Sequence, residues 1–400
     1  MKVTIEEENK SLIKEKSSKE ENIKNKDINT DNSLELKKER NSSFEILRII
    51  SMFFVILSHI LFHTKSLPKL NSSNYLRIIN NNYIFLRIIS NYGHLADIIF
   101  IMITGYFSVE KKTFNYNKFI LLITQIYFYH YLLLYLSLKL KDTYKDIIPP
   151  YQPGFYFMPL FSSLGHWFAQ QYLVLLIFMP YINTGLLSLS QQQYRNFVIL
   201  ILVCFCIIRP LLNCFGIQTN MFSLVLFLKI LMSYIIGGYL RIGNFKYNKT
   251  IIFFGFLSFI MTLGLEIVCD KLAVENKKYF WITFQEQFSL GTFSLYGIIS
   301  GIGLILLVKD INFYSKRINF IASSTFGIYL IHANKNIAPF IFNAWFQTND
   351  YNQDYFFMKY FLKAIFIFFI CLFIDIIRRF TFGILVNKLL NFFYNYFRKK

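Results

Sequence analysis

Four ionisable side chains, Glu45, Arg48, His59 and His63, stand in the otherwise apolar stretch from Ser43 to Thr64. A helix needs roughly 20 mostly apolar residues to cross a bilayer, and this stretch has that length. An ionisable group at membrane depth is expensive, so it faces a bundle interior or a wet cavity and marks function by default. Arg48 and His59 are eleven residues apart, close to three helical turns. Both therefore lie on one face, with about 16 Å of axial rise between them. Glu45 and His63 fall on nearly the same face, one turn beyond each end. Such a stripe can transfer protons and hold anions. An imidazole, with an unperturbed pKa of about 6.5, can take a proton from an attacking hydroxyl, worth roughly 10²–10⁴ in rate. Arg48 stays charged and can grip a phosphate through two parallel hydrogen bonds. The plainer reading makes His59 an interhelical hydrogen-bond donor and Arg48 a side chain that snorkels to head groups.

The elements that must position these groups follow from composition. The chain has 400 residues, 54% of them hydrophobic and 19% aromatic, more than a soluble domain of this length hides in a core. The expected fold is an all-α, polytopic transmembrane helix bundle. Apolar runs recur at 94–109, 118–138, 166–185, 196–215, 222–240, 250–269, 289–308, 318–337 and 357–377. With the first span they predict about ten helices in the lipid bilayer. The net charge of +19 does not point to nucleic acid, because the Lys and Arg flank apolar runs and act as topology signals. Lys111, Lys112, Lys118, Arg241, Lys246, Lys249, Lys309, Lys316 and Arg317 fall on one side, together with Arg378, Arg379 and Lys400. That side is expected to be the cytoplasm. Lys65, Lys69, Arg77 and Arg87 fall on the other, with the acids Asp142, Asp146, Asp350 and Asp354. Both termini are then cytoplasmic, in a multi-pass protein of the plasma (inner) membrane.

Residues 1–43 differ from the rest. Lys, Glu, Asn and Ser dominate up to Asn41, and such a segment buries too little apolar surface to offset its ordering entropy, so a disordered cytoplasmic tail is expected. The first apolar run begins far into the chain without a small-residue cleavage site and should stay as a membrane helix. Residues 44–400 form the membrane domain, with a last span at 357–377 and a basic amphipathic end that follows it along the inner surface. The five cysteines sit in or beside apolar runs without metal-ligand spacing. They read as packing residues, and no metal is expected.

Three further stretches stand out. Gly93 to Phe107 places Asp97 at the outer end of a span and a Thr104-Gly105 pair at its inner end. Glycine suits close helix packing, but Asp97 calls for more. His166 to Tyr181 holds Trp167, either an interfacial belt residue or a site group, and Pro180, a helix end or kink. Ser323 to His332 puts a histidine in another span, as a second site group or a satisfied interhelical donor.

Together, Glu45-Ile-Leu-Arg48 with His59 eleven beyond the Arg, Asp97-Ile-Ile-Phe-Ile-Met-Ile-Thr-Gly105-Tyr-Phe, Trp167-Phe with Pro180 downstream, and Tyr329-Leu-Ile-His332 resemble the acyltransferase-3 family of integral membrane O-acyltransferases. Order and spacing agree over nearly all of residues 44–377, with Thr104 where the family more often has Ser. The resemblance implies transfer of an acyl group, commonly acetyl, from cytoplasmic acetyl-CoA or another acyl-CoA to a hydroxyl of a glycan or other acceptor on the outer side. It carries the family's catalytic Arg and His onto Arg48 and His59, with His59 the catalytic histidine; Arg48 is by its chemistry also suited to bind the donor, and Glu45, Asp97, His332 and Trp167 are candidate supporting residues. A transporter or lipid-linked glycan flippase is the competing reading. It predicts broken helices paired between two halves and intramembrane charges spread over many spans. No internal repeat is evident, and the polar groups look concentrated in the first span and in short motifs.

Overall fold

A computed structural model of the protein describes residues 40–64, 81–140, 166–217, 225–243, 245, 248–276, 280–288, 294–343, 353–386, 388–389 and 392. The expected tail before residue 40, the loops with Lys65, Lys69, Arg77, Asp142, Asp146, Lys246 and Asp350, and most of the basic end lie outside these residues. Among the described residues every regular element is helical. The order is α1 Ser42–Thr64, α2 Asn81–Ser108, α3 Tyr116–Leu140, α4 Trp167–Ser188 and α5 Gln191–Val203. A π turn at Cys204–Ile208 leads into α6 Arg209–Cys214. There follow α7 Val225–Ile242, α8 Lys249–Asn276, α9 Phe280–Phe288, α10 Leu295–Val308, α11 Lys316–Ala322, α12 Thr325–His332, α13 Ala338–Asn343 and α14 Phe356–Phe380.

Eight helices among the described residues are long and apolar enough to cross a membrane, counting Gln191–Cys214 as one and letting the last run on to Val386. The protein is a multi-pass membrane helix bundle. The other two expected spans take a different form. One is α10, with 14 residues. The other, at 318–337, is broken at Ser323–Ser324 into α11 and α12, of seven and eight residues. Arg379 of α14 holds the break, its Nη1 donating to the Phe320 carbonyl at 3.0 Å and to Ser324 Oγ at 3.1 Å. Pro180 does not end its helix: α4 continues through it to Ser188.

Two helices run past the apolar pattern for a common reason. Arg87, expected in an outer loop, is buried on α2, and Asp270 is buried on α8. Arg87 Nη2 reaches both Asp270 oxygens, at 3.0 and 2.8 Å. Tyr83, one turn before Arg87, donates its hydroxyl to Asp270 and accepts from Arg87 Nε and Nη2 at 3.0 and 2.9 Å. A hydropathy count stops at such charges, whereas a helix continues where they find partners.

The first span is central. At its start Ser42 N donates to the Phe313 carbonyl at 2.9 Å, Ser42 Oγ donates to Asn319 at 2.8 Å and Ser43 Oγ donates to the Val308 carbonyl at 3.0 Å. Farther along, Tyr360 of α14 donates to the Leu57 carbonyl at 2.7 Å. Helix α1 packs on α2, α10, α11, α12, α13 and α14, so its register is set by most of the bundle.

The Gly105 expected to serve packing does so. A Cβ there would lie 2.2 Å from the Tyr234 carbonyl oxygen of α7, so only glycine permits this approach of α2 and α7. Gly105→Ala should lower the stability of detergent-purified protein by about 1–3 kcal/mol, the usual cost of overpacking. Gly264→Ala, where a Cβ meets nothing within 4 Å, should leave the melting temperature unchanged or raise it. A Gly105→Ala protein as stable as the parent would contradict the close approach.

Candidate active site

The stripe on α1 places three kinds of neighbour along its length. Near its start Arg48 Nη1 donates to Glu45 Oε1 at 2.6 Å, a pairing that the three-residue spacing on a helix makes natural. Glu45 is buried and Arg48 half-buried, so Glu45 serves as the counter-ion of Arg48. Two more cations gather close by. Lys118 Nζ lies 3.5 Å from Tyr172 Oη, and the Tyr172 hydroxyl also interacts with Thr104 and Arg48. Lys111, in the turn between α2 and α3, interacts with both Lys118 and Tyr172. Burial, and after it the charge of Lys118, hold the Lys111 ammonium below its ordinary pKa. Like charges held together disfavour one another, and an anion placed among them relieves that cost.

This turn is fixed from α4. Asn183 Nδ2 donates to the carbonyls of Ser108 at 2.7 Å and Lys111 at 2.6 Å, and its Oδ1 accepts from the Tyr234 hydroxyl at 2.7 Å. Sequence reasoning counted Lys111 and Lys118 only as topology charges. The available signal was their place just beyond the Thr104-Gly105 end of the second stretch.

In the middle of the bundle Asp97 finds a partner that the sequence reading missed. Lys229 of α7 is buried, and its Nζ lies 3.3 Å from Asp97 Oδ2 and 5.9 Å from the centroid of the Trp167 ring. An ammonium over an indole face is attractive, so Trp167, Asp97 and Lys229 form one group, with Trp167 packed against the core. A lone lysine inside the apolar run 222–240 was the overlooked sign.

At the far end of α1 imidazoles gather. His59 and His332 have ring centroids 5.0 Å apart, and His59 and His63 6.3 Å. The His63 ring stacks on Phe342 of α13 at 4.8 Å and 8°. His166, just ahead of α4, packs against Tyr329 at 5.5 Å. His332 Nδ1 lies 2.6 Å from the Ile328 carbonyl, while His59 Nδ1, His332 Nε2 and His166 Nδ1 are buried without hydrogen-bond partners. Among the described residues no group of three or more His, Cys, Asp or Glu is placed to hold a metal ion. The sequence singled out His59 and His332 and quoted His166 without assigning it to the site.

An aromatic line joins the two ends. From Lys118 it passes to Tyr172, then Phe168 at 6.2 Å, Tyr329 at a further 5.7 Å, and His332 at 6.2 Å, which adjoins His59. The helix bearing His332 is seated by Asp375 of α14, which accepts from the Tyr129 hydroxyl at 2.7 Å and from Arg378 Nε at 2.9 Å. A Cβ on residue 327 would fall 2.0 Å from Asp375 Oδ1, so α12 needs glycine there to lie against this carboxylate.

The comparisons with known proteins now bear on this arrangement. A protein-family model described as an acyltransferase domain matches residues 41–377. The chain belongs to the acyltransferase-3 family. No curated protein and no solved structure matches it. The acyltransferase-3 match takes in α1 and runs to within three residues of the end of α14, so the groups described above fall inside it except Arg378 and Arg379.

Buried charge also extends beyond the places the sequence reading gave it. Arg87, Lys229, Glu266, Asp270, Lys363 and Asp375 are all buried, on α2, α7, α8 and α14. Removing one partner of a buried pair leaves the other charge uncompensated. Lys229→Met should therefore cost about 3 kcal/mol, the low end for such pairs because Asp97 keeps some exposure. Adding Asp97→Asn to it should restore most of the loss, as read from thermal unfolding in detergent. A Lys229→Met protein with an unchanged melting temperature would show that the pair carries no such strain.

Proposed function

We propose that this acyltransferase moves an acyl group, acetyl in the simplest case, from cytoplasmic acyl-CoA to a hydroxyl of an extracytoplasmic or cell-surface glycan. The observation that carries the reading is the continuous line from a cation cluster at one end of the bundle to a group of histidines at the other. Arg48, Lys111 and Lys118 suit the phosphates of a CoA donor, since Arg binds phosphate in bidentate fashion and Lys as a point charge. The acyl end of the donor then has to cover the rise of about 16 Å from Arg48 to His59 on α1. Phe168, Tyr172 and Tyr329 form a line of rings between the two ends of that route. The charge of the three cations favours the end that faces the cytoplasm, by the rule that positive segments stay inside.

His59 is suited to general base catalysis. Its imidazole takes the proton of the acceptor hydroxyl as the oxygen attacks the thioester carbonyl, and returns that proton to the departing thiolate. An acceptor entering from the opposite membrane face would pass His63, one turn beyond His59, and Phe342, which stacks on His63. The buried charges away from this line are spread over several spans, as a transport route would have them, yet they are engaged in structural contacts. Arg87 and Asp270 bind one another, Lys363 donates to the Phe342 carbonyl and Asp375 joins α3, α12 and α14. These contacts brace helices.

The two principal residues should fail in different ways. His59→Ala should leave acetyl-CoA affinity nearly unchanged and lower turnover by about 10²–10⁴-fold, as loss of proton transfer does. Arg48→Ala should weaken donor binding by about 1.5–3 kcal/mol, the worth of one hydrogen bond to a charged group. Arg48→Lys should recover only part of it. Labelled acetyl transfer and acetyl-CoA affinity in membranes of expressing cells check both. Wild-type turnover in correctly inserted His59→Ala would overturn the reading.

A further inference from the structure

We infer that His332 is a positioning residue that fixes the protonation and orientation of His59; this deepens the proposed function and rests on it. A backbone carbonyl oxygen only accepts, so the 2.6 Å contact between His332 Nδ1 and the Ile328 carbonyl requires the proton to sit on Nδ1. A neutral imidazole carries one N–H. Nε2 of His332 therefore keeps its lone pair, and that atom is buried without a partner.

Among the described residues the nearest ring to His332 is His59, at 5.0 Å; Tyr329 and Phe342 follow at 6.2 and 6.4 Å. Two imidazoles joined by an N–H···N bond of about 2.9 Å have centroids about 5 Å apart. His59 offers the complementary atom, because its Nδ1 is also buried without a partner although the residue as a whole is half-buried. His63 stacks on Phe342 and His166 packs on Tyr329; both also act electrostatically on His332, but it is the His59 ring that lies at 5.0 Å from it. The two orphan nitrogens close on one another when substrate tightens the site, as catalytic hydrogen bonds do.

Hydrogen-bond direction then propagates along the row. The Ile328 carbonyl accepts from His332 Nδ1–H, His332 Nε2 accepts from His59 Nδ1–H, and His59 Nε2 is left with its lone pair for the acceptor hydroxyl. During reaction the hydroxyl proton moves to His59 Nε2 while the oxygen forms its bond to the acyl carbon. The carbon–sulfur bond breaks and the thiolate takes that same proton. His332 gains no proton; it holds the transient imidazolium of His59 by accepting its Nδ1–H, as the third member of a catalytic triad does.

The test uses glutamine and asparagine, which imitate different nitrogens. A Gln at 332 can place its amide oxygen near the Nε2 position, keeping the acceptor for His59. An Asn keeps only a donor for the Ile328 carbonyl. Full-length variants in membranes of expressing cells receive labelled acetyl-CoA, with the glycans of those membranes as acceptor. His332→Gln should stay within about tenfold of the parent turnover, while His332→Asn and His332→Ala fall about 10²–10³-fold, all with unchanged acetyl-CoA affinity. The double variant His59→Ala, His332→Ala should be no slower than His59→Ala alone, because the two act as one unit. Retention by Asn and loss by Gln, equal activity of all three, or additive losses in the double variant would overturn the inference. Should a variant melt early, the double-variant comparison at a temperature where all are folded still decides. Full activity of His59→Ala would instead sink the acyltransferase assignment of the site, so the two failures are distinct.

Discussion

Hydrocarbon offers no hydrogen bonds, so a polar side chain at membrane depth must find its partner within the protein. The helices are arranged around that requirement. Arg87 and Tyr83 surround Asp270, Lys229 meets Asp97, Lys363 reaches the Phe342 carbonyl, and Tyr129 and Arg378 converge on Asp375. Each contact also joins two helices or two turns of one, so satisfying the charges fixes the packing. Against that background the orphan nitrogens of His59, His332 and His166 stand together at one end of α1. Unsatisfied buried groups are costly, and in a bundle that pairs so many of its charges, three in one place fit the proposed position of the reacting groups.

Helix α1 connects this end to the cation cluster. Catalysis by orientation needs reacting groups held to within fractions of an ångström, and α1 is held along its whole length, by Ser42 and Ser43 at its start and by Tyr360 on the Leu57 carbonyl two residues before His59. The partner histidine is placed with equal firmness, since Gly327 lets α12 rest directly on Asp375. Rigid placement of two rings from separate helices is what a proton-transfer site demands. The cation end is built on a turn, with Lys111 held by one asparagine bracket from α4 and Lys118 on the first turn of α3, which suits the proposed entry of a long donor.

Much of this was legible in the sequence. The length and apolarity of the first span, with Arg48 and His59 three turns apart, located both ends of the line, because helical periodicity converts spacing into geometry. The family motifs brought His332 and Trp167 into the same reading. What escaped was whatever depends on contacts between distant helices. Lys229 looks like an accident in an apolar run until Asp97 is set beside it, and Arg87 looks like a loop residue until Asp270 appears on α8. The break at Ser323–Ser324 was hidden because its stabilising contact comes from Arg379, far along the chain. Hydropathy averages over a window, and so it cannot register a charge that another helix neutralises.

The central claim is that donor and acceptor meet along one line, with the donor entering at Arg48, Lys111 and Lys118. The direct measurement is the sidedness of donor use in sealed vesicles of known orientation, established by protease access to the chain ends. Labelled acetyl-CoA, which does not cross the bilayer, is supplied to one face at a time. Loss of the label from the thioester should occur only when it is offered to the face carrying Lys111, and transferred label should appear on the opposite face. Consumption only from the face nearest His63 would contradict the account.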